Sequence, residues 1–431
     1  MRALGALCLT LAASCTRAPA PAPPVDVEVP PEPAVAAPSP RVAEPAPATR
    51  LVSHLVDGNV YIEEVPLEPD AGAAPVAPPS TAAPEGCETA RASLGAALVG
   101  TVDHRVVSAA RDVERACPER TRERHDLAQR IERRGMAQVT TARRPLLEAA
   151  IRLEPTARRL LLLARAADED NDGASAIEAA RRALALAPGD PLALGELAEL
   201  ERRHAVEQCF DTIAAEHFTA RFEGEARKEL ASDALRVLEE AWRGVGAAVD
   251  LHPSSSITVV FYTGAAYQDA TGARDWSGGQ FDGKIRVRAG SLKQSQEALR
   301  DLLFHEYLHA ALATTVRGKI PAWLHEGLAQ RLEPGLDRAR DLAPLKGRAR
   351  AELPSLDELS HGFSRHTDRE LVRLYYACAL DIVDELARWR GERSFAQLFA
   401  AMNRGARFEA ALEDNYGLDE RLLQERWQSR Y

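Results

Sequence analysis

The chain has 431 residues, of which 45% are hydrophobic and 27% charged, enough to bury a sizeable core and to divide into two or three domains. Its formal net charge of −10 argues against a nucleic-acid binder, which needs a basic face. Arg-rich stretches such as Arg120 to Arg134 are interleaved with Glu and Asp and read as solvated helix faces.

Arg2, the apolar run Ala3 to Ala13 and the small residue before Cys15 describe a secretory signal over residues 1–14, too short to span a bilayer. Leu11-Ala12-Ala13-Ser14-Cys15 resembles a bacterial lipobox, with Ala12 where Leu is commonest. The resemblance implies that Cys15 is lipidated and anchors the mature chain to the cell envelope, facing the periplasm. Plain secretion is the alternative. No later stretch reaches the ~18 apolar residues of a membrane span. In an oxidising compartment Cys87, Cys117, Cys209 and Cys378 can form two disulfides, with Cys87–Cys117 the first choice and buried free thiols the alternative.

Residues 15–85 are rich in Pro, Ala, Val and Glu and read as an extended, disordered tether, with a β-prone stretch at Leu51 to Val65. Residues 86–206 carry a helical pattern. Within it, Leu160, Leu163, Ala164 and Ala167 precede Ala176, Ala180, Ala183 and Pro188, and these offsets resemble a tetratricopeptide repeat. Ala150 and Pro155 repeat Ala183 and Pro188 at a near-repeat offset. The resemblance implies a concave face for a protein partner, while a helical spacer is the plainer reading.

From Phe210 onward the texture changes. Glu216 to Phe222 alternates as a strand, Ala226 to Val249 reads as a helix, and Ile257 to Tyr262 is a buried strand. A Gly278-Gly279 turn leads to Gly283 to Arg288, which alternates as a half-exposed strand able to take an extended peptide by strand addition. The rest is mainly helix. A small sheet followed by helices is an α+β pattern.

The helix expected from Gln294 to Thr314 contains His305-Glu306-Tyr307-Leu308-His309. Residues four apart share a helix face, so both imidazoles can reach one ion. Glu306 is rotated about 100° away and can take a proton from water that the metal activates. Leu299, Leu302, Leu303, Phe304, Leu308, Ala310, Ala311 and Leu312 fall nearly all round this helix, which marks it as buried. Burying His305, His309, Glu306 and Asp301 there is costly unless a cation compensates.

A glycine three residues after His309 and a third histidine six after it would mark a metzincin. Leu312 and Thr315 stand there instead. Further on, Pro321-Ala322-Trp323-Leu324-His325-Glu326-Gly327-Leu328-Ala329 offers a carboxylate on the first turns of a second helix. Two neutral histidines and one Glu suit Zn²⁺ with an open fourth position.

His-Glu-Tyr-Leu-His followed by Trp-Leu-His-Glu-Gly-Leu-Ala resembles the gluzincins, and most closely the peptidase MA-like domains of bacterial tetratricopeptide proteins. The resemblance covers about Phe210 to Tyr431, with residues 210–431 taken as a zincin-like domain. It implies a zinc metallopeptidase with His305, His309 and Glu326 as metal ligands and Glu306 as general base. Tyr376, or Tyr375, would stabilise the oxyanion; an aromatic that packs helices is the plainer account of either. Asp301 and Gln330, each one turn from a ligand, would orient it. His325 stands where aminopeptidases often have Asn and is either a support or a substitute ligand. The aminopeptidase motif Gly-x-Met-Glu-Asn is absent, which favours endopeptidase action. The runner-up reading is a non-catalytic binding protein on a zincin scaffold. A third is an adaptor whose zinc is closed by four protein ligands. The remaining histidines, His54, His104, His125, His204, His217, His252, His361 and His366, show no ligand spacing.

Overall fold

The computed structural model describes residues 49–56, 59–66, 85–100, 102–117, 122–138, 140–224, 228–271, 279–288, 296–361, 363 and 368–431. Cys15, and with it the expected anchor, lies outside the described residues, as does most of the expected tether. Within that tether β1 (Thr49–Val56) and β2 (Asn59–Pro66) pair antiparallel, with Val56 opposite Asn59. These two strands fall on the stretch that is β-prone in the sequence, Leu51 to Val65.

Among the described residues, seven helices follow: α1 (Glu85–Val99), α2 (Asp103–Ala116), α3 (Arg122–Met136), α4 (Thr140–Leu153), α5 (Ala157–Glu169), α6 (Gly173–Leu186) and α7 (Pro191–Glu207). The Thr156, Asp172 and Asp190 side chains accept from the backbone N–H of Arg159, Ser175 and Leu192, which starts α5, α6 and α7. Cys87 and Cys117 form a disulfide joining the start of α1 to the end of α2, and Cys378 is a buried free thiol. Ala164, Ala167, Ala176, Ala180 and Ala183 are buried together, small enough to let α5 and α6 pack closely.

A five-stranded sheet comes next, in the order β3-β4-β5-β7-β6. Its strands are β3 (Asp211–Ala214), β4 (Phe218–Phe222), β5 (Ile257–Tyr262), β6 (Gly279–Phe281) and β7 (Ile285–Arg288). β4, β5 and β7 run parallel, and β3 and β6 are antiparallel edges. α8 (Lys228–Val249) is the crossover between β4 and β5, and α9 (Gly264–Thr271) follows β5. β3 and α9 were not foreseen, and Gly279 opens β6 rather than lying in a turn.

The strand at Gly283 to Arg288 is also corrected. β7 lies between β5 and β6, so both of its edges are already paired and no peptide can add to it. Two of the three charged residues in Gly283 to Arg288 do not face water. Lys284 and Arg286 are buried against Asp168 of α5, Glu207 of α7 and Asp282. The helical block therefore grips the β6–β7 turn.

The remaining helices are α10 (Gln296–Thr315), α11 (Ala322–Arg331), α12 (Arg338–Asp341), α13 (Leu356–His361), α14 (Arg369–Arg390), α15 (Arg393–Asn403), α16 (Phe408–Tyr416) and α17 (Glu420–Gln428). One hydrophobic core runs from Phe218 through Tyr307 and Trp323 to Trp427. Buried Asp381 of α14 accepts from Trp427, Arg430 and Tyr431, which fastens the last helix to the core. No helix among the described residues is long and apolar enough to cross a membrane. The whole is a helix-rich α+β arrangement: a helical block, then a small sheet, then helices.

Candidate metal centre

Sequence dictates the depth of two helices here. α10 is buried on most faces, by Leu303, Tyr307, Leu308, Ala310, Ala311 and Leu312. α11 starts at Pro321, whose extended backbone (φ −60°, ψ 145°) lets the chain turn into the helix. A Cβ on Gly327 would sit 2.3 Å from the Ala379 carbonyl oxygen and 2.6 Å from Val383 Cγ2. Only glycine lets α11 settle this closely on α14, and that contact sets where its neighbour Glu326 lies.

α10 and α11 bring His305, His309 and Glu326 together, with one potential ligand atom from each lying within 4.8 Å of the others. His305 Nε2 is 3.4 Å and His309 Nε2 3.7 Å from Glu326 Oε2. His309 and Glu326 are fully buried. Yet His309 Nε2 and both Glu326 oxygens have no hydrogen-bond partner. Three orphaned polar atoms converging on one buried point are expensive, and a divalent cation is the group that would satisfy all three. Two imidazoles and a carboxylate are a donor set that suits zinc. The far nitrogens are already engaged: His305 Nδ1 lies 2.8 Å from Glu333 Oε1, and His309 Nδ1 lies 3.3 Å from His325 Nδ1.

Glu306 is buried beside this point, with Oε2 unpartnered. A Cβ on Gly279 of β6 would fall 2.9 Å from Glu306 Oε1, so glycine keeps that side of the carboxylate open. Burial raises the Glu306 pKa, although His305 and His309 pull against it. A carboxylate tuned upward is suited to exchange protons nearer neutral pH. For Glu326 burial also opposes the charge, but His309 and His305 outweigh it and hold the group at about 2. Burial opposes a charge on His305 as well, and there Glu326 and Glu333 prevail and raise it well above the usual range. Burial and the neighbouring His309 push His325 down to about 3.

Tyr376 of α14 faces the cluster, its ring centroid 6.5 Å from that of His305 and 5.3 Å from that of Phe363. Burial and the charges of Glu326 and Glu306 raise its hydroxyl pKa well above the ordinary value, so it stays a proton donor. Tyr375 points into the core against Phe363. The two residues expected to orient ligands do other work. Asp301 Oδ1 accepts from the Gly335 N–H, and Gln330 Nε2 donates to the backbone carbonyls of Glu326 and Tyr376. Asp301 pins the chain beyond α11, and Gln330 ties α11 to α14.

Glu333, which the sequence reading missed, is the carboxylate behind His305. It lies past the end of α11 and 28 residues from His305 in the chain, so no spacing within one helix points to it. A second acidic-histidine group, Glu216, His217 and Glu239, lies far from this point in the sequence. There Glu239 already accepts from the His217 backbone and ring, and the ring stacks on Trp242 at 3.9 Å, which accounts for the group structurally.

Residues 244–431 match the family model of the Peptidase MA superfamily. The match starts inside α8 and takes in α10, α11 and α14, hence every residue of the cluster. No curated protein matches the chain.

Proposed function

We propose that residues 210–431 form a zinc-dependent metallopeptidase domain, an endopeptidase acting on peptide or protein substrates at the bacterial cell envelope. The observation that carries this reading is the convergence of three orphaned, buried ligand atoms from His309 and Glu326 beside His305 Nε2. The match of residues 244–431 to the Peptidase MA superfamily supports the reaction class.

His305, His309 and Glu326 would hold the ion. When bound, zinc supplies Lewis-acid polarisation of a peptide carbonyl and acidifies water. Glu306 takes a proton from the attacking water and returns it to the leaving amine. Tyr376, kept protonated, donates a hydrogen bond to the oxygen that gains negative charge. Glu333 holds His305 with its Nε2 turned toward Glu326. Gly279 leaves room for a reacting group against Glu306.

In this proposal the chain is exported, with Cys15 as lipid anchor, and faces the periplasm. The tetratricopeptide-like reading of residues 86–206 makes that block a surface for a protein partner. The test is metal analysis of the purified chain beside Glu326→Ala, with cleavage of a peptide library by wild type and Glu306→Gln. Stoichiometric zinc that is lost in Glu326→Ala, and cleavage that is lost in Glu306→Gln, are expected. A wild-type chain that binds no zinc overturns the proposal.

A further inference from the structure

We infer that His325 is a positioning residue for His309: it accepts a hydrogen bond from the His309 Nδ1–H and so keeps the His309 Nε2 lone pair aimed into the ligand cluster. The inference rests on the metal-centre reading above and adds a residue to it.

The two Nδ1 atoms are 3.3 Å apart, and the rings lie 5.5 Å apart and tilted by 31°. Both side chains are buried. A neutral imidazole has one N–H and one lone pair, so an Nδ1–Nδ1 hydrogen bond needs one ring to donate and the other to accept. If His325 donated, His309 would carry its proton on Nε2. That buried N–H would face Glu326 Oε2 at 3.7 Å, too far for a hydrogen bond, and could not bind a cation. If His309 donates, both nitrogens have a use. Nδ1 is satisfied by His325, and Nε2 becomes a ligand pointing at the same place as His305 Nε2.

The two ligands are thus supported differently. His305 leans on a carboxylate, Glu333, and His309 on a neutral ring. The difference follows from the local charge. His325 precedes Glu326 in the chain, and Glu306 and Glu333 are also close to the cluster. A carboxylate at position 325 would add a fourth negative charge in a buried space, whereas an imidazole offers a lone pair without one. The same contact keeps His325 out of the ligand set. Its Nδ1 is spent behind His309, and the convergent group contains only His305, His309 and Glu326. One coordination position stays open, as a catalytic rather than a structural zinc requires.

The test uses the full chain. Zinc affinity is measured by chelator competition for wild type, His325→Leu and His325→Gln, with the unfolding midpoint of each metal-free protein as the control for folding. His325→Leu is expected to weaken zinc about 10–100-fold, the usual loss when a ligand's supporting partner is removed. His325→Gln, whose amide oxygen can accept the same bond, should recover much of that loss. Nitrogen NMR of ¹⁵N-histidine-labelled, metal-free wild type at mildly alkaline pH should find His309 protonated on Nδ1, and it decides the matter if both variants fail to fold. His309 protonated on Nε2, or a folded His325→Leu with wild-type zinc affinity, overturns the inference while leaving the metal centre standing. A wild type that binds no zinc overturns both.

Discussion

Among the described residues, two of the clusters of buried charge are built on opposite principles. Between the helical block and the sheet, Asp168, Glu207 and Asp282 meet Arg203, Lys284 and Arg286. Arg286 reaches Glu207 at 2.6 Å and Asp282 at 2.8 Å, Lys284 reaches Asp168 at 3.1 Å, and Arg203 reaches Asp282 at 2.8 Å. Three anions balance three cations, and in this group only Arg203 Nε lacks a partner. At the metal centre the acidic and imidazole groups converge with His309 Nε2, Glu306 Oε2 and both Glu326 oxygens unpartnered. A closed network is what a structural joint needs, whereas polar atoms left open in a dry interior are held for something the chain does not itself supply. Burial and charge alone do not separate the two. Hydrogen-bond closure does.

The largest effect that sharpens this contrast is on turnover. Glu306→Gln keeps the shape of the side chain and removes the base. Peptide cleavage should fall about 10²–10⁴-fold. Zinc content and the unfolding midpoint should stay at wild-type levels, because Glu306 is neither a ligand nor part of a closed ion pair. Cleavage assays beside metal analysis check this, and a variant that loses zinc and activity together would place Glu306 in the wrong role.

The reverse signature is expected from the joint. Arg286→Met removes the centre of the closed network, leaving Asp282 with Arg203 and Glu207 with Arg221, Lys284 and the Tyr262 hydroxyl. Breaking one partner of a buried pair typically costs about 3–5 kcal/mol. Urea unfolding should show that loss, with zinc affinity per folded molecule little changed. Since the helical block grips the β6–β7 turn, the variant should also split one unfolding transition into two. A Cβ on Gly283 of that turn would fall 2.7 Å from Glu169 Cγ, which shows how tightly the block encloses it.

These two clusters also mark how far the sequence could be read. His305, Glu306 and His309 were legible because four-residue spacing on one helix brings side chains together whatever the rest of the fold does. Glu326 needed a second helix, and the Pro321 and Gly327 around it carried that signal. The joint was invisible. Lys284 and Arg286 alternate as an exposed strand would, and nothing local reveals that Asp168 and Glu207, 116 and 79 residues away, are buried against them. The same blindness assigned β7 an open edge and placed Asp301 behind a ligand instead of on the Gly335 backbone. Spacing within one element is local and readable, whereas pairing between elements is decided by the assembled fold.

Acid tests the joint without mutation. For Asp168 burial opposes the charge, but Lys284, Arg286 and Arg203 outweigh it and hold the carboxyl well below its usual range. Asp282 and Glu207 are lowered in the same way, burial opposing, with Arg203 and Arg286 prevailing at Asp282 and Arg286 and Lys284 at Glu207. A carboxylate depressed on folding contributes stability that is complete above its unfolded pKa, roughly 3.9–4.3, and is lost as pH falls toward the folded value. Urea midpoints should therefore hold steady near neutrality and drop below about pH 4. The drop should be shallower in Asp168→Asn, which starts less stable but has one fewer depressed carboxyl to protonate. An equal acid slope in the two proteins would mean that the joint does not govern acid stability.

The smallest effect is expected where pairing occurs without burial. Arg300 of α10 pairs with Glu240 of α8, and both side chains are more than a third exposed. Arg300 also lies over the Phe304 ring, 5.5 Å from its centroid. Water screens the ion pair and the long side chain loses freedom in making it, so a double-mutant cycle on Arg300→Ala and Glu240→Ala should return about 0.2–1 kcal/mol. Part of the Arg300→Ala effect should survive in high salt, because the stem packs on Phe304 whatever the charge does. A coupling several times larger would mean that pairing by itself carries the energy in this protein. Hydrogen-bond closure in a dry site would then lose its standing as the property that separates the joint from the metal centre.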